Sequence, residues 1–150
     1  MNDLSELYQE VIFDHYRQPR NRGVLAGANR TAEGYNPLCG DKVTLYLRIE
    51  DGIVKEASFE GSGCAIATAS ASLMTEALKG KTEAEAQALF GRFREMVTAS
   101  APVSAPAPDL GKLAALSGVR EFPARVKCAT LAWHTLRAAL QGENSTVSTE

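Results

Sequence analysis

The chain has 150 residues, of which 45% are hydrophobic and 23% charged, with a formal net charge of −2. That length suits one domain with a proper core, and that charge offers no basic surface for nucleic acid or an anionic membrane. No apolar run is long enough to span a bilayer, and the acidic start, Met1-Asn2-Asp3-Leu4-Ser5-Glu6, lacks the basic-then-apolar order of a signal peptide. A cytoplasmic protein without nucleic-acid or membrane partners is expected.

Residues 4–17 read as an amphipathic helix. Leu4, Leu7, Tyr8, Val11, Ile12 and His15 follow the rhythm of one helical face, and Pro19 stops it. Arg20-Asn21-Arg22-Gly23 reads as a turn, and residues 24–38 as loop with a short edge strand. Residues 42–50 alternate as a strand, with Val43, Leu45, Leu47 and Ile49 on one side and Thr44, Tyr46 and Arg48 on the other. Asp51-Gly52 is a hairpin turn signal, and alternation resumes over 53–60 through Ile53, Ala57 and Phe59. Two strands are marginal alone, so helices should cover the buried face.

Gly61-Ser62-Gly63 ends the hairpin. Residues 64–79 form a small-residue helix capped by Gly80. Thr82 and Glu85 make a capping box for a helix that buries Ala86, Leu89, Phe90, Phe93, Met96 and Val97. Residues 99–108 are too rich in proline to be helical. Residues 110–116 read as a short helix stopped by Gly118. The last helix runs from about 123 to 140, with Val126, Ala129, Ala132, Trp133, Leu136 and Leu140 inward. Residues 142–150 read as a flexible polar tail. Strands first and helices later predict an α+β domain over 1–141. Its small antiparallel sheet, two long strands plus a short edge strand, is covered on one face by helices.

Three cysteines cannot all pair in disulfides, which favours metal or thiol chemistry in a reducing compartment. The alternative is three buried cysteines acting as small apolar residues. Cys39 and Asp41 flank Gly40 just before the first long strand, and Cys64 follows the second. The start of one hairpin strand lies beside the end of its partner, so Cys39, Asp41 and Cys64 can meet. Cys128 joins them if the last helix docks its first turns there. A position near a helix N-terminus would favour thiolate at Cys64 and Cys128. Three thiolates and a carboxylate suit tetrahedral Zn²⁺, with bonds of about 2.3 Å to sulfur and about 2.0–2.2 Å to oxygen. The same set could hold an iron–sulfur cluster, and the chemistry of the donors does not separate the two. Alone, Asp41 could equally be a turn residue accepting backbone N–H bonds.

His134 falls roughly 240° round the helix from Cys128, so it should face solvent and is rejected as a ligand. His15 continues an apolar face and should pack with a hydrogen bond to a neighbour. Arg125 falls about 60° from Cys128, on the side of the buried stripe, where it could support thiolate or persulfide.

Several motifs carry a resemblance. They are Asp14-His15-Tyr16 with Pro19-Arg20-Asn21, Asn36-Pro37-Leu38-Cys39-Gly40-Asp41, Gly61-Ser62-Gly63-Cys64-Ala65-Ile66-Ala67 with Ala69-Ser70-Ala71-Ser72, and Arg125-Val126-Lys127-Cys128-Ala129. Together they resemble the IscU/NifU-type iron–sulfur assembly family, and within it the SufU group of zinc-dependent sulfur acceptors. Scaffold members carry His where this chain has Lys127. SufU members carry an insertion between the second and third cysteines, which here corresponds to residues 99–118. The resemblance implies an IscU-like fold and zinc on Cys39, Asp41, Cys64 and Cys128. It also implies a PLP-dependent cysteine desulfurase of the SufS type as partner, with downstream iron–sulfur assembly proteins. Cys39 is the implied sulfur acceptor, and its loop after Pro37 makes it the ligand expected to leave. The alternative is a scaffold that assembles and transfers an iron–sulfur cluster.

Overall fold

A computed structural model describes residues 3–37, 40–98, 111–142 and 146–148. The elements are α1 (Asp3–Arg17), β1 (Arg30–Asn36), β2 (Asp41–Glu50), β3 (Ile53–Ser62), α2 (Ala65–Leu78), α3 (Glu83–Thr98), a 3-10 segment (Gly111–Glu121), α4 (Pro123–Leu140) and β4 (Thr146–Ser148). The architecture is α+β, as expected. The strand order is β3-β2-β1-β4, antiparallel throughout except for β4, which runs parallel to β1.

The hairpin forms as its alternation demands. Asp51 and Gly52 both take positive φ, 55° and 74°, the left-handed pair that suits the twist of a two-residue turn. Register is continuous from Lys42↔Ser62 to Arg48↔Glu56, then a bulge shifts the pairing to Ile49↔Val54. Val43, Leu45, Leu47 and Ile49 are buried on the core face. On the opposite face the Tyr46 hydroxyl donates to Glu60 Oε1 at 2.6 Å.

α4 is the central helix. Its buried residues include Cys128, Ala129, Leu131, Ala132, Trp133, Thr135, Leu136, Ala138 and Ala139, so it is covered nearly all round. Trp133 stacks on Phe93 at 4.5 Å between ring centroids. Two serines of α2 tie the helices together. Ser70 Oγ donates to Ala129 O at 2.6 Å and accepts from Trp133 Nε1 at 3.1 Å. Ser72 Oγ lies 2.7 Å from His15 Nδ1 and accepts the Arg20 N–H at 2.9 Å, pinning the end of α1 and the turn after it. The Thr82–Glu85 capping box forms at 2.9 and 3.1 Å, and those bonds hold the Glu85 carboxyl below the usual carboxylate range.

Four expectations need correction. The edge strand expected within 24–38 is present as β1, but it is longer than expected, seven residues paired along its length with β2, and β4 covers its outer side. Its polar sequence hid its extent, because Gly34 and Asn36 occupy inward positions where apolar residues would mark a strand. The segment before α4 is a 3-10 helix that runs through Gly118 instead of stopping there. Within the expected tail, Thr146–Ser148 pairs with β1 as β4. His134 is half-buried, edge-on to Phe90 at 5.3 Å, because α3 covers that side of α4. Burial, with Arg137 and Arg94 nearby, lowers its pKa. The proline-rich stretch over 99–108 lies outside the described residues.

Candidate metal centre

The centre begins with the phase of β2. A period of two puts Asp41 on the same face as Val43 and Leu45, so its carboxylate is only 1% exposed. A buried carboxylate is costly without hydrogen bonds or a charged partner. Asp41 Oδ1 accepts the Cys64 N–H at 3.0 Å, and Oδ2 lies 3.9 Å from Cys64 Sγ. Two glycines allow this approach. A Cβ on Gly61 would stand 2.1 Å from Lys42 O, and one on Gly63 would stand 2.8 Å from Asp41 Oδ1.

Cys64 is the N-cap of α2. Its backbone is extended (φ −70°, ψ 172°) and its Sγ accepts the Ala67 N–H at 3.4 Å, the part that serine or aspartate plays at other helix starts. It is exposed, so a partner could reach it. Cys128 differs. It is the sixth residue of α4 and is 4% exposed. The field of the helix end fades within the first turn, so it acts on Cys64 and not on Cys128. Asn36 Nδ2 approaches Cys128 Sγ at 3.8 Å instead. Asn36 itself is fully buried.

One ligand atom from each of Asp41, Cys64 and Cys128 falls within 4.8 Å of the others. Bonds of about 2.0–2.3 Å at tetrahedral angles would put such atoms about 3.3–3.8 Å apart. The donor set and spacing therefore fit a metal after closure by about 1 Å. Cys39, expected as the fourth ligand, lies outside the described residues. Its neighbours are placed: Asn36 pairs with Asp41 across the β1–β2 turn, and the Gly40 N–H donates to Asn36 O at 2.8 Å.

The remaining candidates stand apart. His134 is not in the ligand cluster. His15 is buried against Ser72, with Glu76 at 3.5 Å from its Nε2, and burial pushes its pKa down. Arg125 is exposed, with its guanidinium 4.5 Å above the Phe122 ring. The expected place beside the buried stripe is thus replaced by stacking at the start of α4. Asn36 was missed. The signal was a polar side chain in the Cys39–Asp41 motif itself, unreadable until β1 fixed its phase.

Residues 7–141 match the model of the NifU-like N terminal domain. The chain belongs to this NifU-like family. It is 43% identical to the zinc-dependent sulfurtransferase SufU of Bacillus subtilis over 94% of each chain. It is also 42% identical to the iron–sulfur cluster assembly scaffold protein IscU of Thermotoga maritima, over 90% of this chain and 93% of that one. The crystal structure of the N-terminal part of a nitrogen-fixing NifU-like protein from Brucella abortus superposes with a TM-score of 0.81. It is 26% identical, and the match covers 93% of this chain and 95% of that one. The Brucella structure shares the sheet and helix arrangement that here carries Asp41, Cys64 and Cys128.

Proposed function

We propose that this chain is a zinc-dependent sulfurtransferase. It takes persulfide sulfur from a PLP-dependent cysteine desulfurase of the SufS type and passes it into iron–sulfur cluster assembly in a reducing cytoplasm. The observation that carries this reading is the cluster of one buried carboxylate and two thiols at the end of the β2–β3 hairpin. Asp41, Cys64 and Cys128, joined by Cys39, would hold the ion. Bound zinc supplies charge that keeps thiols deprotonated and shields them from oxidation.

The chain's own residues divide the work. Cys128 is buried in α4 and Cys64 caps α2, so both are anchored by helices. Cys39 lies two residues after Pro37 in the sequence and is the acceptor in this reading. Its thiolate attacks the terminal sulfur of the partner's persulfide. A sulfur–sulfur bond forms at Cys39, the partner's bond breaks, and the electron pair leaves with the partner's cysteine thiolate. No external oxidant or reductant is needed. Arg125, exposed near the start of α4, is the residue we assign to support the acceptor's thiolate or persulfide by its charge.

Cys39→Ala should leave the fold intact and abolish both desulfurase stimulation and sulfur uptake, read by turnover and by mass spectrometry of the trapped persulfide. Normal sulfur uptake by that variant overturns the assignment. The similarity to scaffold IscU proteins supports a second reading, a cluster scaffold. Lys127, where scaffolds carry His, weighs against it. Anaerobic reconstitution that yields a stable, stoichiometric coloured cluster would favour the scaffold.

A further inference from the structure

Asn36 is out of place by composition. In β1 the inward positions are Ala32, Gly34 and Asn36, and all three are buried. Gly34 lets α4 approach closely, since a Cβ there would meet Thr135 Oγ1 at 2.1 Å and Leu131 Cδ1 at 3.1 Å. One inward position along β1 and one helical turn back along α4, Asn36 meets Cys128. A fully buried amide is costly unless its groups are bonded, and an apolar residue would fill the position without that cost. The amide nitrogen points at a sulfur, at 3.8 Å. The backbone of the same residue accepts the Gly40 N–H and pairs with Asp41. Asn36 therefore links the start of β2, which bears Asp41, to the helix that bears Cys128.

We propose that Asn36 is a positioning residue for the metal centre, donating an N–H···S hydrogen bond that aims the Cys128 sulfur at Asp41 and Cys64. The inference rests on the metal reading above. A metal-bound thiolate is the stronger acceptor, because charge-assisted hydrogen bonds exceed neutral ones. Partners that orient metal ligands in this way typically contribute about 10–100-fold in affinity. The bond also draws electron density from sulfur, which raises the energy of sulfur-to-metal charge transfer.

The test uses the full chain with Zn²⁺ and Co²⁺ as probes and the variants Asn36→Ala and Asn36→Asp. The second keeps the side-chain volume and an oxygen but lacks the donor. Zinc affinity is read by competition with a chromophoric chelator, and the cobalt charge-transfer band by absorption. Both variants should bind zinc about 10-fold or more weakly, and their cobalt bands should move to longer wavelength. Loss of affinity with an unmoved band, or unchanged affinity in a folded Asn36→Asp, would overturn the proposal and leave Asn36 as packing. Wild-type protein without a sulfur-to-cobalt band would overturn the metal reading and the proposal with it.

Discussion

At position 63 any side chain larger than hydrogen meets the ligand set. A Cβ there would lie 2.8 Å from Asp41 Oδ1 and 3.3 Å from Ala67 Cβ. The carboxylate would have to turn, breaking its bond from the Cys64 N–H. Gly63→Ala should weaken zinc binding by about 10-fold or more, since Asp41 loses the contact that orients it. It should cost about 1–3 kcal/mol of stability through overpacking. Chelator competition and a denaturant melt measure the two effects. Wild-type affinity in the variant would show that Asp41 is not held as described. Asp41 itself was legible as a candidate ligand from the Cys-Gly-Asp motif. Its burial also follows from the alternation of Val43 and Leu45, which puts it on the inward side.

The elements carry the three candidate ligands on separate supports: the start of β2, the cap of α2 and the second turn of α4. What holds α2 against α4 therefore sets the distance between two thiols. Ser70 does much of this, bonding both Ala129 O and Trp133 Nε1 from a fully buried position. Ser70→Ala leaves the indole N–H and a carbonyl without that partner. The cost of one unsatisfied buried group is about 1–3 kcal/mol. We expect the denaturant midpoint to fall accordingly, with a smaller loss of zinc affinity as α4 shifts. A midpoint equal to wild type would mean that another group takes over both bonds. The helices themselves were readable from periodicity and caps, down to the Thr82–Glu85 pair. The extent of β1 was less legible than its presence, because glycine and asparagine stand where a strand would normally show apolar residues.

Across the molecule, a metal held by the proposed centre would join the end of the sheet to α2 and α4. A ligand that binds only the folded chain adds stability by mass action, about 2.7 kcal/mol at 100 times its dissociation constant. For a chain of this length that corresponds to about 5–10 °C in melting temperature. The zinc-loaded protein should lose about that much on chelation and regain it when zinc is restored. A melting temperature unchanged after verified zinc removal would contradict the linkage. The core should survive removal. Leu45, Leu47, Met74, Phe93, Trp133 and Leu136 are buried independently of the centre.

The local code of this chain determined its hairpin, its capped helices, its α+β class and the identity of the ligand types. Those follow from periods of two and 3.6 and from residues whose chemistry is short-ranged. Three things needed the tertiary structure. Asn36 reaches Cys128, 92 positions away, only because β1 packs beneath α4. Arg125 and His134 turn away from their expected settings because Phe122 and Phe90 offer them ring faces and edges. Finally, Cys64 and Cys128 part company: one is an exposed cap and the other is buried in the second turn. For Asn36 and His134 the deciding contact joins segments distant in sequence, which no local pattern encodes; Arg125 instead turns to a ring three residues back, a choice made by how the start of α4 packs.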